Sequence, residues 1–232
     1  MASRRSKETF GVGNQNEEIT HELQYKVAIR FVIEGDLRFI SHHDTMRLFE
    51  RALSRARWPV KFSQGFNPRP KLSLPLPRAV GVTGLSELLV VDLDEPVELA
   101  EALGRLREQM PAGLTLTESW SIAEKHPPQP VRVDYELPLR PDLIEAVTAS
   151  VQRLMASPTW KIERTGPGTK QAKDVDLRQY LADASVHEGT LRWTVQVTAG
   201  GSLRPAELLA AVGLAPSDWY HRVSRTGIQW EW

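Results

Sequence analysis

Residues 25–33 have the sequence YKVAIRFVI, in which an apolar side chain stands at every odd position. A period of two is typical of a strand with one buried face. The other face of this strand carries Lys26, Ala28 and Arg30. Residues 41–56 then combine the Ser-x-x-Asp spacing of a helix N-cap with apolar residues at helical intervals. The sequence therefore predicts a strand followed by a helix.

The pattern continues in the same manner to residue 122. Extended segments are predicted at 59–63 and 71–76, separated by a loop in which two prolines and a glycine prevent regular structure. A strand at 87–93, a helix at 97–110 and a strand at 114–122 follow. The order of elements is β-α-β-β-α-β.

Three prolines within residues 126–130 form a stiff connector, and we place a boundary there. Beyond it the same six-element order returns. The sequence predicts strands at 131–139, 160–163, 191–197 and 227–232, helices at 141–155 and 202–212, a short helical stretch at 177–181 and a loop at 166–170.

A β-α-β-β-α-β unit packs both helices on one face of a four-stranded antiparallel sheet and leaves the opposite face open. We therefore predict an α+β protein of two tandem ferredoxin-like units with antiparallel sheets. The predicted organisation is a disordered tail at 1–24, a domain carrying the basic residues at 25–126 and a second domain at 131–232.

The composition excludes several classes of protein. The 232 residues are 41% hydrophobic and 25% charged, as in ordinary globular proteins, and contain no cysteine. Disulfides, thiol nucleophiles and cysteine-ligated iron–sulfur clusters are therefore excluded for this chain. A helix needs about 18 consecutive apolar residues to span a bilayer, and the sequence contains no such run. Residues 1–24 also lack the apolar core of an export signal. We expect a cytoplasmic protein with no membrane partner.

Charges are segregated along the chain, although its 29 basic and 29 acidic residues balance. Residues 81–126 contain nine acidic against three basic residues, whereas residues 51–86 contain no acidic residue and seven basic ones: Arg51, Arg55, Arg57, Lys61, Arg69, Lys71 and Arg78. Such a basic segment is either a solvated face balanced by the following acids or the contact surface for a polyanion.

Polar and aromatic residues are densest at 38–44, RFISHHD, and at 63–71, SQGFNPRPK. Phosphates attract lysine and arginine, and unpaired bases stack on rings or guanidinium planes. The pattern favours RNA binding, in which Phe66 stacks and Asn67 reads a base edge or holds the loop. The predicted RNA-binding residues are Arg30, Arg38, Arg47, Arg51, Lys61, Phe66, Asn67, Arg69 and Lys71. The alternative is that residues 65–70 form an ordinary turn and Phe66 pins it to the core.

These residues belong to two separate segments, so their convergence is itself a hypothesis. Either Lys26 and Arg30 on the open sheet face, or the helical row of Arg47 and Arg51, would extend the basic patch between the segments.

The two histidines and the aspartate at 42–44 also allow acid–base chemistry. In that interpretation His42 is the general acid or base, Arg38 or Lys71 stabilises a pentavalent phosphate, and Ser41 or Asp44 orients the imidazole. In the simpler interpretation Ser41 or Asp44 caps the helix. No HExxH motif or second ligand cluster is present, so we predict no metal site.

Several of these motifs also resemble a known family. GDLRFISH at 35–42, Asp44, the Met-Arg pair at 46–47, FERAL at 49–53 and SQGFNPRPK at 63–71 resemble the bacterial radical-SAM-linked proteins. Two further stretches, DVDLR at 174–178 and GGSLRP at 200–205, are similar to the C-terminal landmarks of that family. The likeness extends from about residue 25 to residue 226, and His43 stands where the family has leucine.

The resemblance implies a partner class and no defined reaction. In that family the domain is often fused behind a cobalamin-binding radical SAM half, whose iron–sulfur cluster needs cysteine thiolates that this chain lacks. It therefore implies a separately encoded radical SAM protein that supplies the cluster, and no cofactor in this chain. The tandem architecture is also similar to that of CRISPR repeat-processing endoribonucleases, which cut RNA without a metal.

Three functions follow as hypotheses. The first is an RNA-binding accessory protein that presents tRNA or rRNA to the radical SAM modification enzyme. The second is a metal-independent endoribonuclease that uses His42. The third is a protein-interaction scaffold whose acidic helix and C-terminal tryptophans contact a partner.

Overall fold

A computed structural model of the chain describes residues 25–123, 127–165 and 172–232. The predicted tail at 1–24 and the predicted loop at 166–170 lie outside the described residues. Within them the fold is α+β, as the sequence predicted, with five α-helices and one large, mostly antiparallel sheet.

The first half contains four strands and two helices in the predicted order. The strands are β1 (Tyr25–Ile33), β2 (Leu72–Ser73), β3 (Thr83–Leu93) and β4 (Leu114–Ile122), and the helices are α1 (His42–Arg55) and α2 (Leu99–Arg107). Strand β1 lies between β4 and β3, and β2 pairs with β3, so the order across the sheet is β4-β1-β3-β2.

The second half has the same strand order in the large sheet, with two additions: a separate two-stranded sheet and a third helix. Its strands are β5 (Gln129–Pro138), β6 (Lys161–Thr165), β7 (Ala172–Asp176), β8 (Leu181–His187), β9 (Thr190–Gln196) and β10 (Ser224–Glu231), and its helices are α3 (Ile144–Ala156), α4 (Pro205–Ala211) and α5 (Pro216–Trp219). The order across the sheet is β10-β5-β9-β8, while β6 and β7 form a separate two-stranded sheet.

The predictions for the second half missed two strands. Neither β7 nor β8 was predicted. The register of β8 shifts between Leu181 and Asp183, which interrupts the alternation of that strand. The helical stretch predicted at 177–181 is a single 3₁₀ turn over Leu177–Gln179. In the first half, the extended segment predicted at 59–63 forms isolated bridges only, from Val60 to Leu93 and from Phe62 to Pro70.

The helices cover one face of the sheet, where the two large cores lie. Helix α1 begins after Ser41, whose Oγ accepts a hydrogen bond from the backbone N–H of Asp44 (3.1 Å) and donates one to its carboxylate (2.7 Å). Its Phe49 packs edge-on against Phe31 of β1 at 4.9 Å between ring centroids. The odd positions of β1 therefore face the helices, and the N-cap prediction for Ser41 is confirmed.

The opposite face of the first half is not open, contrary to the expectation from its topology. Ala28, Leu88, Val90 and Ile122 lie on that face and are buried in a third, smaller cluster. Trp120 from β4 and Trp230 from β10 pack over them. Two indoles from the ends of distant strands thus cover the centre of the surface that the alternation of β1 had left unpartnered.

The two halves meet in a short seam. Strands β3 and β10 run parallel and pair only at Thr83 with Ser224 and at Gly84 with Arg225, which joins all the principal strands into a single eight-stranded sheet. The two halves of the chain therefore share one continuous sheet.

A buried ion pair stabilises this seam. The Arg225 guanidinium donates from Nε to Glu87 (2.8 Å) and from Nη2 to the second oxygen of the same carboxylate. It also donates to the backbone carbonyls of Leu76 (3.3 Å) and Pro77 (3.4 Å). Tyr135 lies beside Arg225, and burial raises the pKa of its hydroxyl.

None of the described helices has the length and apolar character needed to cross a bilayer.

Candidate nucleic-acid interface

Residues 59–73, here called the ribbon, run along the edge of β3 and fold back on themselves. The Lys61 N–H donates to the Asp92 carbonyl (2.8 Å), the Asp92 N–H donates to the Lys71 carbonyl (2.9 Å), and the Lys71 N–H donates to the Lys61 carbonyl (2.7 Å). Further out, the Ser63 N–H donates to the Arg69 carbonyl (2.8 Å). These bonds fix the base of the ribbon to the sheet.

The tip of the ribbon, residues 64–68, is shaped by residues that restrict or relax the backbone. Gly65 has φ +129°, which L side chains rarely adopt, and no atom lies near the position of an added Cβ. Pro68 and Pro70 fix the backbone on either side of Arg69. The Arg69 N–H also donates to the Ser63 Oγ (2.9 Å). The tip is thus held open and projects from the molecule.

Phe66 stands at this tip with its side chain fully in solvent, at 107% relative exposure. The alternative in which Phe66 pins the turn to the core is therefore wrong. Asn67 beside it is also exposed. A phenyl ring in this position contributes nothing to the packing of the core and is accessible to an external partner.

The cationic side chains of the ribbon share one side. Lys61 lies opposite Lys71 and Ser63 opposite Arg69, and cross-strand partners point to the same face. Arg69 and Lys71 are exposed, and neither forms an ion pair with any residue that the structure describes. The structure therefore brings together five predicted residues: Lys61, Phe66, Asn67, Arg69 and Lys71.

The other four predicted residues lie elsewhere. Arg30 is on the same side of the sheet as the ribbon lysines, but it forms an ion pair with Glu118 (2.8 Å) and lies over Trp120. Arg47 and Arg51 are on the exposed side of α1, a helix that packs on the opposite face of the sheet. The helical row therefore does not extend the ribbon patch.

Arg38 lies at the other end of β3, next to the seam. Its guanidinium stacks on the exposed ring of Phe39 at 4.8 Å from the centroid. A Cβ on Gly81 would lie 3.7 Å from the rings of both Phe39 and Tyr220, and the Gly81 N–H donates to the Arg38 carbonyl (2.7 Å). Nearby Trp219 has Arg140 at 5.8 Å and Arg222 at 5.3 Å from its ring. Arg140 and Arg222 were not identified from the sequence, because nothing in it except their being arginines indicates that they lie near Trp219.

One arginine of the acid-free segment has a structural role. Arg78 donates to the backbone carbonyls of Arg38 (2.7 Å), Ala79 (3.1 Å) and Val82 (2.6 Å), and burial lowers its pKa. Its guanidinium ties the loop after β1 to the approach to β3 and is unavailable to an external partner.

A groove separates the ribbon from the connector between the two halves. It has a volume of about 360 Å³. Lys26, Lys71, Ser73 and Asp92 supply its polar groups, while the apolar lining comes from Leu72, Val90, Ile122, Pro127 and Pro128. The side chains of Lys26 and Asp92 face each other across β1 and β3, which pair at these positions.

His42 lies in a cramped site on the helix side of the sheet. It shares a cavity of about 10 Å³ with Thr45, Arg78 and Glu87, which is space for about one water and too little for a phosphate diester. Burial, together with the neighbouring His43, lowers the pKa of His42. In the described part of the chain His42 has no hydrogen bond to Ser41 or Asp44, which bond to each other.

Comparisons with known proteins give few functional clues. No protein of curated function matches the sequence. A crystal structure of an unknown protein from Galdieria sulphuraria is similar at 11% identity, over 90% of this chain and 98% of that chain, with a TM-score of 0.25. A TM-score this low transfers neither fold nor function.

A protein-family model matches residues 26–205, which include the first half of the sheet, the ribbon, the groove and the second half as far as the start of α4. Its description is limited to conservation in bacteria and names no activity. Since the match spans well over half of the sequence, the chain belongs to the family described as uncharacterized proteins conserved in bacteria, DUF2344.

Proposed function

We propose that the protein binds single-stranded segments of tRNA or rRNA through the ribbon and presents them, in the cytoplasm, to a separately encoded radical SAM modification enzyme. The fully exposed Phe66 carries this proposal. A fully solvated phenyl ring takes no part in core packing, so its face is free to stack on an unpaired base, a flat partner of the right size.

The charges around Phe66 support RNA over a neutral partner. Arg69 and Lys71 lie within a few residues of the ring and form no ion pair in the described part of the chain. Phosphate contacts position a strand, and stacking on a ring is tolerant of base identity. Arg69 is held between two prolines, so little backbone entropy remains to be lost when it binds.

The partner enzyme is inferred from chemistry and from the resemblance to radical-SAM-linked proteins. A radical SAM cluster requires cysteine thiolates, and none occurs in these 232 residues. The proposed division of labour is RNA recognition by this chain and redox chemistry by its partner. The match to the DUF2344 family is compatible with this role and does not specify it.

We also infer that each half is a ferredoxin-like unit. The strand orders β4-β1-β3-β2 and β10-β5-β9-β8 support this inference, because each has the first strand beside the last and the third beside the second. In this interpretation the β6–β7 hairpin is an insertion.

Binding of a fluorescent single-stranded RNA across a salt series tests the proposal. Phe66→Ala should weaken binding by about 5- to 150-fold, which is the range for loss of one stacked base. Arg69→Ala combined with Lys71→Ala should lower the slope of log affinity against log salt by about 1.4, which corresponds to two phosphate contacts on a single strand.

The matched control is Arg47→Ala combined with Arg51→Ala, which removes the same charge from α1 on the other side of the sheet. We expect its effect to be smaller than that of the ribbon pair. Equal effects would show that charge acts without a defined site. An absence of binding at low salt contradicts the proposal, and capture of a partner that survives RNase would favour the scaffold alternative.

A further inference from the structure

We propose that the groove beside the ribbon binds one guanine base of the RNA, with the Asp92 carboxylate as its recognition element. This inference rests on the proposed RNA binding and specifies which nucleotide is recognised. It follows from the position of a carboxylate without a partner inside an otherwise basic surface.

The size and walls of the groove fit one nucleotide. Its volume of about 360 Å³ lies in the range of small-molecule sites. The buried side chains of Val90 and Ile122 form an apolar floor, and Pro127 and Pro128 form a wall on the side of the connector. Flat apolar surfaces of this kind accept the face of a base.

The polar groups of the groove are arranged for an anionic ligand with hydrogen-bond donors on one edge. Lys26 and Lys71 stand on its rim, and Asp92 lies between them. The Asp92 carboxylate accepts no hydrogen bond and forms no ion pair with any residue in the described ranges. Lysines suit phosphates, whereas an ionised carboxylate only accepts hydrogen bonds.

Base identity follows from these donors and acceptors. Guanine presents two adjacent donors, N1–H and N2–H₂, which match the two oxygens of a carboxylate. Uracil presents a donor flanked by two carbonyl oxygens, which a carboxylate repels, and adenine and cytosine each offer one donor next to an acceptor. Asp92 therefore selects guanine.

The groove is continuous with the ribbon because Lys71 belongs to both. A strand stacked on Phe66 and held by Arg69 passes directly to Lys71, and its next exposed base lies at the mouth of the groove. This continuity favours a guanosine within RNA as the occupant over a free nucleotide.

Binding of four labelled RNA octamers, U8 and U8 with one central G, A or C, tests this inference. We expect the G-containing octamer to bind about 5- to 150-fold more tightly than U8, the discrimination of one bidentate contact. Asp92→Asn should abolish that preference while U8 still binds. Asp94→Asn, which removes the same charge from an exposed position two residues further along the chain, is the control and should keep the preference.

The outcomes separate the two proposals. If U8 binds but G gives no advantage, or if Asp92→Asn keeps the advantage, the guanine inference is wrong and RNA binding stands. If no octamer binds at low salt, the proposed function fails with it. Competition by GMP distinguishes the ligand source, because GMP that binds as tightly as the G-containing octamer would overturn recognition within RNA.

Discussion

We expect His42 to make the stability of the protein depend on pH, even though its site is too small for a phosphate. Burial and the adjacent His43 lower its pKa from 6.5 in the folded protein. As the pH falls below about 6.5, the unfolded chain takes up a proton at this residue more readily than the folded protein does. The free energy of unfolding therefore decreases as the pH is lowered through this range.

Replacing His42 by Gln should make the loss of stability between pH 7 and pH 5 smaller. Urea unfolding at the two pH values measures the difference. The control is His221→Gln, which replaces an exposed histidine and should leave the loss as in the wild type. An unchanged pH dependence in the His42 variant would contradict the assignment.

The composition of the candidate site could be predicted from sequence, but its arrangement could not. Charge segregation singled out the ribbon, and turn residues predicted its irregular backbone. The sequence left the exposure of Phe66 undecided, because Gly, Asn and Pro favour a turn whether or not the ring between them is buried. Helical spacing showed that Arg47 and Arg51 share a row, but not that the row faces away from the ribbon.

Strand β3 depends on a residue without a side chain. A Cβ on Gly84 would overlap the Glu87 carboxylate. The carboxylate cannot move away, because Arg225 donates a hydrogen bond to each of its two oxygens. Gly104 in α2 has no atom near the same position. The two glycines therefore respond in opposite ways to an added methyl group.

Gly84→Ala should lower the free energy of unfolding by about 1–3 kcal/mol through overpacking. Gly104→Ala should raise it by about 0.5–1 kcal/mol, because alanine is the better helix former. Urea unfolding of both variants decides the matter, and a change of the same sign in both would show that the space around Gly84 is not limiting.

Elements with regular alternation were predicted well, and interrupted elements were not. The predicted strand at 114–122 coincides with β4. Strand β8 escaped notice because its register shift places Leu181 and Ala184 three residues apart on the core side. A bulge is stabilised by its partner strand, and a single strand carries no sign of it in its own sequence.

The seam between the halves makes the whole sheet one folding unit. Removing the Arg225 guanidinium leaves the Glu87 carboxylate buried without its partner. Arg225→Met should therefore lower the free energy of unfolding by about 3–5 kcal/mol. Arg30→Met, which breaks the more exposed pair with Glu118, should lower it by at most about 1 kcal/mol.

Native-state hydrogen exchange extends this test to both halves. In the Arg225 variant, the amides of β1 and β9 should lose protection together, because one sheet connects them. Continued protection of β1 with loss in β9 would show that the halves unfold independently. No periodic pattern in the sequence indicates this seam, since the seam consists of two residue pairs between segments far apart in the chain.

The central position of β10 affects how the protein folds during its synthesis. This strand is the last of the ten to leave the ribosome, yet it lies between β3 and β5 in the finished sheet. Glu87 precedes Arg225 by 138 residues, a delay of about 7–28 s at translation rates of roughly 5–20 residues per second. Throughout that interval the nascent first half carries a hydrated carboxylate at a position that later becomes part of the interior.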